Sequence, residues 1–152
     1  MAGKSGGVAS YRELLVYQKV RALALEIFQA TKRFPKEEMY ALTDQIRRSS
    51  RSIGAQIAEA WAKRRYERHF VSKLSDADGE LQETQHWIGI AFDCGYWDRP
   101  TATALRAQCE EIGRLLGGMF EKSDQFCTTN TKTLREVPVE YVASELAVDG
   151  EQ

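Results

Sequence analysis

The chain has 152 residues, of which 43% are hydrophobic and 28% are charged, with three prolines and a net charge of −1. This length fits one domain, and no stretch approaches the roughly 20 apolar residues of a membrane span. Residues 1–10 lack the apolar core of a secretory signal, and Cys94, Cys109 and Cys127 form no CxxC pair. We therefore expect a cytoplasmic protein with reduced core thiols, no membrane partner and neither a disulfide framework nor a zinc site.

The first half of the chain repeats apolar residues at the three- and four-residue spacing of amphipathic helices. Helix one is predicted over about residues 12–32, after a capping-box pattern formed by Ser10 and Glu13. It should end before Pro35, because the residue before a proline disfavours helical geometry. Helix two is predicted from about residue 39 to about 65.

The second half shows the same periodicity. Helix three is predicted from about residue 70 to near Gly95. Helix four is predicted to start with Asp98 as its cap and Pro100 in its first turn, and to end near Cys127. No segment alternates with period two for long enough to be a strand. The sequence thus predicts an all-α fold, an antiparallel up-down four-helix bundle with short loops.

The domain limits follow from where the periodicity begins and stops. Residues 1–10 are predicted to be a flexible lead, residues 11–127 the four-helix bundle, and residues 128–152 a tail. The tail carries five acids and two basic residues and is expected to be mobile or docked on a partner. At the joint between helices two and three, one continuous helix and a reversal near Tyr66 both fit the sequence, because Gly and Pro are absent there.

Charge is unevenly distributed along the chain. Residues 47–73 have a net charge of +6, whereas residues 74–98 have a net charge of −6. A reversal near Tyr66 makes facing positions sum to about 132, which places Arg48 and Arg51 beside acids of helix three. This predicts an ion-pair network, formed within one chain or across a subunit boundary. Its members are Arg47, Arg48, Arg51, Glu59, Asp76, Glu80 and Glu83.

A second group of cations gathers at the end of the predicted hairpin, with Trp61, Tyr66 and His69 interleaved. Cations suit phosphate contacts and aromatic rings suit stacking on bases, whereas a solvated basic helix end is the simpler structural interpretation. The candidate nucleic-acid contacts are Lys63, Arg64, Arg65, Arg68 and Lys73.

Two further patterns concern packing and metal binding. Small residues recur every four positions on helix two at Ser50, Gly54, Ala58 and Ala62, a ridge that would let another helix of this chain or of another subunit approach closely. Glu83 and His86 form one ExxH pair, but a di-iron bundle needs a second such pair and two more glutamates. No nucleophile or phosphate-loop motif occurs, so we expect no metal, no cofactor and no catalytic residue.

Several segments together resemble a known family. They are Tyr11–Lys19, Phe34–Glu38, the Gln-Ile-Arg-Arg-Ser-Ser run ending at Ser50, Ile57–Glu59 and Gly79–Gln85. This pattern is similar to the four-helix-bundle proteins encoded in 23S ribosomal RNA intervening sequences. It is more distantly similar to the accessory variability determinant of diversity-generating retroelements. The resemblance covers about residues 10–127.

The resemblance implies an up-down bundle that assembles into a homopentameric ring without enzymatic activity, with nucleic acid as a suspected partner. We therefore expect a homo-oligomeric scaffold or adaptor that contacts RNA or DNA through the basic cluster. The alternative is a protein–protein adaptor with no nucleic-acid role, which recruits an unidentified protein through its C-terminal tail.

Overall fold

The computed structural model of the protein describes residues 6–127 and 136–144. Its main elements are four long helices: α1 (Leu15–Ala30), α2 (Asp44–Ala62), α3 (Glu67–Asp93) and α4 (Arg99–Glu121). A single turn, α5 (Ser123–Phe126), follows α4. Each long helix contacts the next one along the chain, and α1 also contacts α4, which closes the bundle. The predicted all-α helical bundle is confirmed.

The helices start and stop for local reasons. The predicted capping box is present, since the Ser10 side chain accepts from the Arg12 N–H and Glu13 accepts from the Ser10 N–H. It caps a short 3₁₀ turn, however, and not α1, because Leu14 adopts an extended conformation before α1 begins. Asp98 caps α4 as predicted, by accepting a 2.9 Å hydrogen bond from the Thr101 N–H.

Aromatic residues fill the end of the bundle where α1 meets α2 and α3 meets α4. The Phe34 ring lies 5.4 Å from the Tyr96 ring and 5.1 Å from the Trp97 ring. Trp97 Nε1 donates to the Ala30 carbonyl at 3.1 Å and so satisfies an acceptor at the end of α1. Gly95, with φ of 77°, supplies the left-handed turn that ends α3.

The α2–α3 pair reverses within residues 63–66, which settles the choice between a hairpin and one long helix. A buried hydrogen bond sets the register of the two helices: Thr84 Oγ1 donates to Ser49 Oγ at 2.9 Å. This pairing differs by one residue from the alignment predicted from the sequence. Both side chains are fully buried. Removing either one alone would leave its partner without this bond inside the core, so the pair favours a single alignment of the two helices.

The chain ends extend the fold beyond the helices. Gly6–Gly7 (β1) pairs antiparallel with Glu136–Val137 (β2), and Leu14 forms an isolated bridge with Val142. The Ala143 N–H donates to the Glu13 carbonyl at 2.6 Å. We refer to residues 136–144, which include a 3₁₀ turn at Val139–Tyr141, as the strap.

The strap and the residues that it meets differ from the predicted lead and tail. Val8, Val137, Tyr141 and Ala143 are buried, so residues 6–10 and 136–144 pack on the bundle of their own chain. The rest of the predicted lead and tail, residues 1–5, 128–135 and 145–152, lies outside the described residues. Among the described residues, every helix falls short of the length or the apolar character that a membrane crossing requires.

Candidate nucleic-acid interface

The α2–α3 turn presents cations and aromatic rings together on the surface. Lys63, Arg65 and Arg68 are exposed, as is His69. Tyr66 is 65% exposed, and its ring lies 5.3 Å from the His69 ring. In the described part of the chain, no carboxylate oxygen lies within 4.0 Å of the three cations. We call Lys63, Arg65 and Arg68 the turn cluster.

Arg64 does not belong to the turn cluster, contrary to the sequence-based prediction. It is only 7% exposed, its guanidinium carbon lies 3.3 Å from the centre of the Trp61 ring, and Nε donates to the Trp61 carbonyl at 3.0 Å. Burial lowers the pKa of Arg64 to about 10, so its guanidinium is still charged at neutral pH. The side chain folds back from the turn onto the end of α2, where its stem and planar head cover Trp61. Arg64 therefore holds the turn in shape instead of offering its charge to a partner.

Lys73 also differs from the prediction, because its charge is already balanced. Its ammonium lies 2.8 Å from Glu59 Oε2 and 3.7 Å from Asp76 Oδ2. The hydrogen bond and charge of Glu59 raise the pKa of Lys73, and Lys73 in turn lowers the pKa of Glu59. Both groups sit at the surface, where such a pair contributes little stability. Lys73 is thus a weaker candidate for phosphate contact than the three residues of the turn cluster.

The predicted ion-pair network forms only in part. Arg48 contacts Glu80 at 3.4 Å and also pairs with Glu83, both within one chain. Glu59 and Asp76, which were expected to meet helix-two arginines, are bound by Lys73.

Arg47 and Arg51, the other two predicted members, lie over the ring of Phe28 on α1. The hundred-degree rotation per helical residue explains this division, because Arg48 faces α3 whereas Arg47 and Arg51 face α1.

The ridge of small residues is also divided. Ser50 and Gly54 are buried against α1, Ala58 is half-buried and Ala62 is exposed. A Cβ atom added at Gly54 would lie 3.5 Å from Tyr17 Cε2, which is ordinary van der Waals contact. The close neighbour of this ridge is therefore α1 of the same chain, and the approach does not require glycine.

The strap is the feature that the sequence analysis missed. Tyr141 is 6% exposed, and its ring lies 5.2 Å from the ring of Phe126. Its phenol end lies over Gly118 of α4, where even a methyl group would come within 3.2 Å of Tyr141 Cζ. Lys122 pairs with Glu140 at 2.8 Å, and its ammonium lies 5.2 Å from the Tyr141 ring centre. The apolar run Val137-Pro-Val-Glu-Tyr-Val142 was the available signal, but it did not indicate a docking place.

Comparison with known proteins places this bundle in a family. The sequence model of the 23S rRNA-intervening sequence protein family matches residues 12–118. The chain belongs to this family. No curated protein matches the chain.

A solved structure from Bacteroides thetaiotaomicron is described as a protein with unknown function from the S23 ribosomal protein family. It is 29% identical to this family member, with a TM-score of 0.65. The match covers 70% of this chain and 96% of the other. The strap of this family member lies outside residues 12–118, so it is an addition to the part that the family model describes.

The predictions about metal binding and thiols concern His86 and the three cysteines. Within residues 6–127 and 136–144, no three His, Cys, Asp or Glu residues gather as a metal site would require. His86 is exposed, and its ring contacts that of Trp87 at 4.8 Å. Cys94 is exposed, unlike the expected core thiol, whereas Cys109 is buried and Cys127 is half-buried.

Thiol reactivity should follow this burial. Loss of solvent raises the pKa of Cys109 to about 12 and that of Cys127 to about 11. At pH 8 the Cys127 thiolate fraction would be about one in a thousand, so the native protein should react with iodoacetamide at Cys94 first. Mass spectrometry of timed samples measures this order. Equal labelling of Cys94 and Cys109 under native conditions would contradict it, and denaturant should bring all three to similar rates.

Proposed function

We propose that this protein is a non-enzymatic homo-oligomeric scaffold or adaptor, assembled as a pentameric ring, that binds nucleic acid through the turn cluster. The observation that supports this proposal is the exposed Tyr66 flanked by three cations without carboxylate partners in the described residues. Cations attract phosphates whatever the base sequence of the nucleic acid, and an exposed aromatic ring offers a stacking surface for an unpaired base.

Oligomerisation would give these contacts strength. A ring repeats Lys63, Arg65 and Arg68 in every subunit. Once one subunit has bound a strand, the contacts of the other subunits with that strand become intramolecular, so several weak contacts give a higher overall affinity. A net charge of −1 per chain does not oppose this arrangement, because screening over about 8–10 Å makes the local cluster more important than the total charge. Light scattering tests the assembly, and a monomeric mass at micromolar concentration would contradict the ring.

The turn cluster is tested by replacing Lys63, Arg65 and Arg68 together with glutamine. Wild-type protein should bind structured RNA or duplex DNA at low salt, with affinity falling steeply as salt rises. The triple variant should bind about ten-fold more weakly or worse, with a shallower salt dependence, because fewer counterions are released. Fluorescence anisotropy across a salt series measures both quantities.

Lys73→Gln provides the matched control. It removes one positive charge, against three in the triple variant, and it removes it from the first turns of α3, from a lysine that already pairs with Glu59 and Asp76. Its affinity should stay within about two-fold of wild type. No binding by wild-type protein at low salt would contradict the nucleic-acid role and favour the protein–protein adaptor. That alternative would then be tested by removing residues 145–152, which leaves the strap in place, and measuring partner capture.

A further inference from the structure

Three cations converge on one aromatic ring at the α1–α2 face. The ring is that of Phe28, which is half-buried on α1. The guanidinium carbons of Arg47 and Arg51 lie 4.8 Å and 5.6 Å from its centre, and the Lys32 ammonium lies 5.0 Å from it. We call Lys32, Arg47 and Arg51 the Phe28 cluster.

These charges have no carboxylate to balance them among the described residues, where none lies within 4.0 Å. Asp44 lines a shallow depression on α2 together with Arg47, Arg48 and Arg51, but it forms no ion pair there. Arg48 turns away to Glu80 and Glu83 on α3. Gathering three like charges is unfavourable unless the ring or a partner stabilises them. The aromatic ring of Phe28 supplies part of this stabilisation, and we expect a bound anion to supply the rest.

The geometry of the arginines suits a phosphate group. Arg47 Nε donates to Thr31 Oγ1 at 2.8 Å, which fixes this guanidinium at the face of the ring. A guanidinium resting on an aromatic face keeps its N–H edge available, and that edge matches the oxygen spacing of a phosphate. Arg51 is exposed and makes no hydrogen bond within the described residues.

The Phe28 cluster and the turn cluster lie near opposite ends of α2. Arg47, Arg51, Ala55, Ala58 and Ala62 fall within about 80° on the helix, at 100° per residue. On α2 itself, alanines separate the two clusters along this row, and the side chains of Tyr11, Tyr17 and Arg21 line the same surface from the α1 side. From Arg51 to Lys63 the helix rises about 18 Å, and at 3.4 Å per phosphate of one duplex strand this equals about five phosphates.

We propose that the α1–α2 face binds the phosphate backbone of a nucleic-acid strand, held by the Phe28 cluster at one end and by the turn cluster at the other. This inference rests on the proposed nucleic-acid role and extends the site from the bundle end along α2. Glu59 lies on the i+4 line from Arg51 to Lys63, but its carboxylate is already paired with Lys73. The cations at both ends of α2, which have no carboxylate partner among the described residues, and their spacing match a repeating anion. Such a partner also explains why Arg47 and Arg51 remain unpaired by carboxylates while their neighbour Arg48 is paired.

The experiment compares Lys32→Gln/Arg51→Gln with Arg48→Gln. Arg47 is left in place, because it also bonds to Thr31. The probes are fluorescein-labelled duplex DNA and single-stranded RNA of about 12 units each, enough to exceed the five phosphates of the row. The double variant should bind about ten-fold more weakly than wild type, and its log–log salt slope should fall by about 1.4–1.8. Arg48→Gln should remain within two-fold, with an unchanged slope.

Each other outcome has a defined meaning. The proposal would be overturned if Arg48→Gln lost as much affinity as the double variant. It would also be overturned if light scattering showed a change of mass in Lys32→Gln/Arg51→Gln, because this face would then form contacts between copies of the chain. Binding that is lost in the turn-cluster variant but intact in the double variant would overturn the extended site and leave the proposed function standing. Absence of wild-type binding would overturn both. Circular dichroism and melting of all variants confirm that each one is folded.

Discussion

Gly118→Ala is expected to displace the strap from α4, whereas Gly117→Ala next to it should leave the strap in place. A Cβ at Gly118 would meet the phenol end of Tyr141, including Cζ at 3.2 Å, whereas a Cβ at Gly117 would meet nothing within 4 Å. Overpacking of this kind costs about 1–3 kcal/mol. At Gly117 the same substitution should stabilise the helix by about 0.5–1 kcal/mol, because alanine loses less backbone entropy than glycine.

Limited proteolysis and thermal unfolding measure this pair. Gly118→Ala should be cleaved within residues 136–144 at protease concentrations that spare wild type, and its melting temperature should fall. Gly117→Ala should resist cleavage and melt at or above the wild-type temperature. Equal protection of the strap in both variants would show that Tyr141 can shift without leaving its place, and would contradict the steric account.

Phe126→Ala should have the largest effect of any single substitution considered, a loss of about 3–5 kcal/mol in the free energy of unfolding. Phe126 is fully buried, and its ring stacks on Phe70 of α3 at 5.7 Å and meets the Tyr141 ring edge-on at 5.2 Å. It therefore links the bundle core to the strap. Chemical denaturation monitored by circular dichroism measures the loss, and proteolysis of residues 136–144 reports whether the strap is released.

The coupling between these rings can be separated from the loss of core volume. Phe126→Ala, Tyr141→Ala and the double variant form a thermodynamic cycle, which isolates the interaction between the two side chains. We expect the double variant to be more stable than the sum of the two single losses implies, by about 0.5–1.5 kcal/mol, the usual contribution of an aromatic pair. Strict additivity would mean that Phe126 supports the core without holding the strap.

The helical bundle could be predicted because its determinants are local. The apolar periodicity, Pro35 and the Asp98 cap each act within a few residues, and a buried face must find a partner in any all-α fold. The register of α2 against α3 could also be estimated, since a short reversal near Tyr66 leaves little freedom. The Ser49–Thr84 hydrogen bond lies one residue from that estimate.

The roles of individual cations could not be predicted as well, because they depend on rotation about a helix and on side-chain conformation. Arg64 and Arg65 are neighbours with the same composition around them, yet one covers Trp61 and the other is exposed. Likewise Arg47 and Arg51 had acids at suitable sequence distances on α3, but Phe28 on α1 lay nearer to their side of α2. The conformation of the α2–α3 turn decides the first case and rotation about α2 decides the second, and apolar periodicity fixes neither closely.

The docked strap was missed for a different reason. Its partners, among them Leu14, Gly118 and Phe126, are distant in sequence and already explained by the bundle pattern. A short segment with one proline and alternating valines has no helical or hairpin signature of its own. Its place follows only when the positions of these partners are known in three dimensions.

The pairing of Gly6 with Val137 also sets the order in which the fold can be completed. These residues are 131 positions apart, so their contact closes nearly the whole described chain into a loop. During synthesis the helices can assemble as they emerge, but the first strand has no partner until residue 137 has left the ribosome. Closing so long a loop is entropically costly before other contacts exist. We therefore expect the bundle to form first and the two ends to join in a separate, later step, visible as a second refolding phase that shortening the chain before residue 136 abolishes.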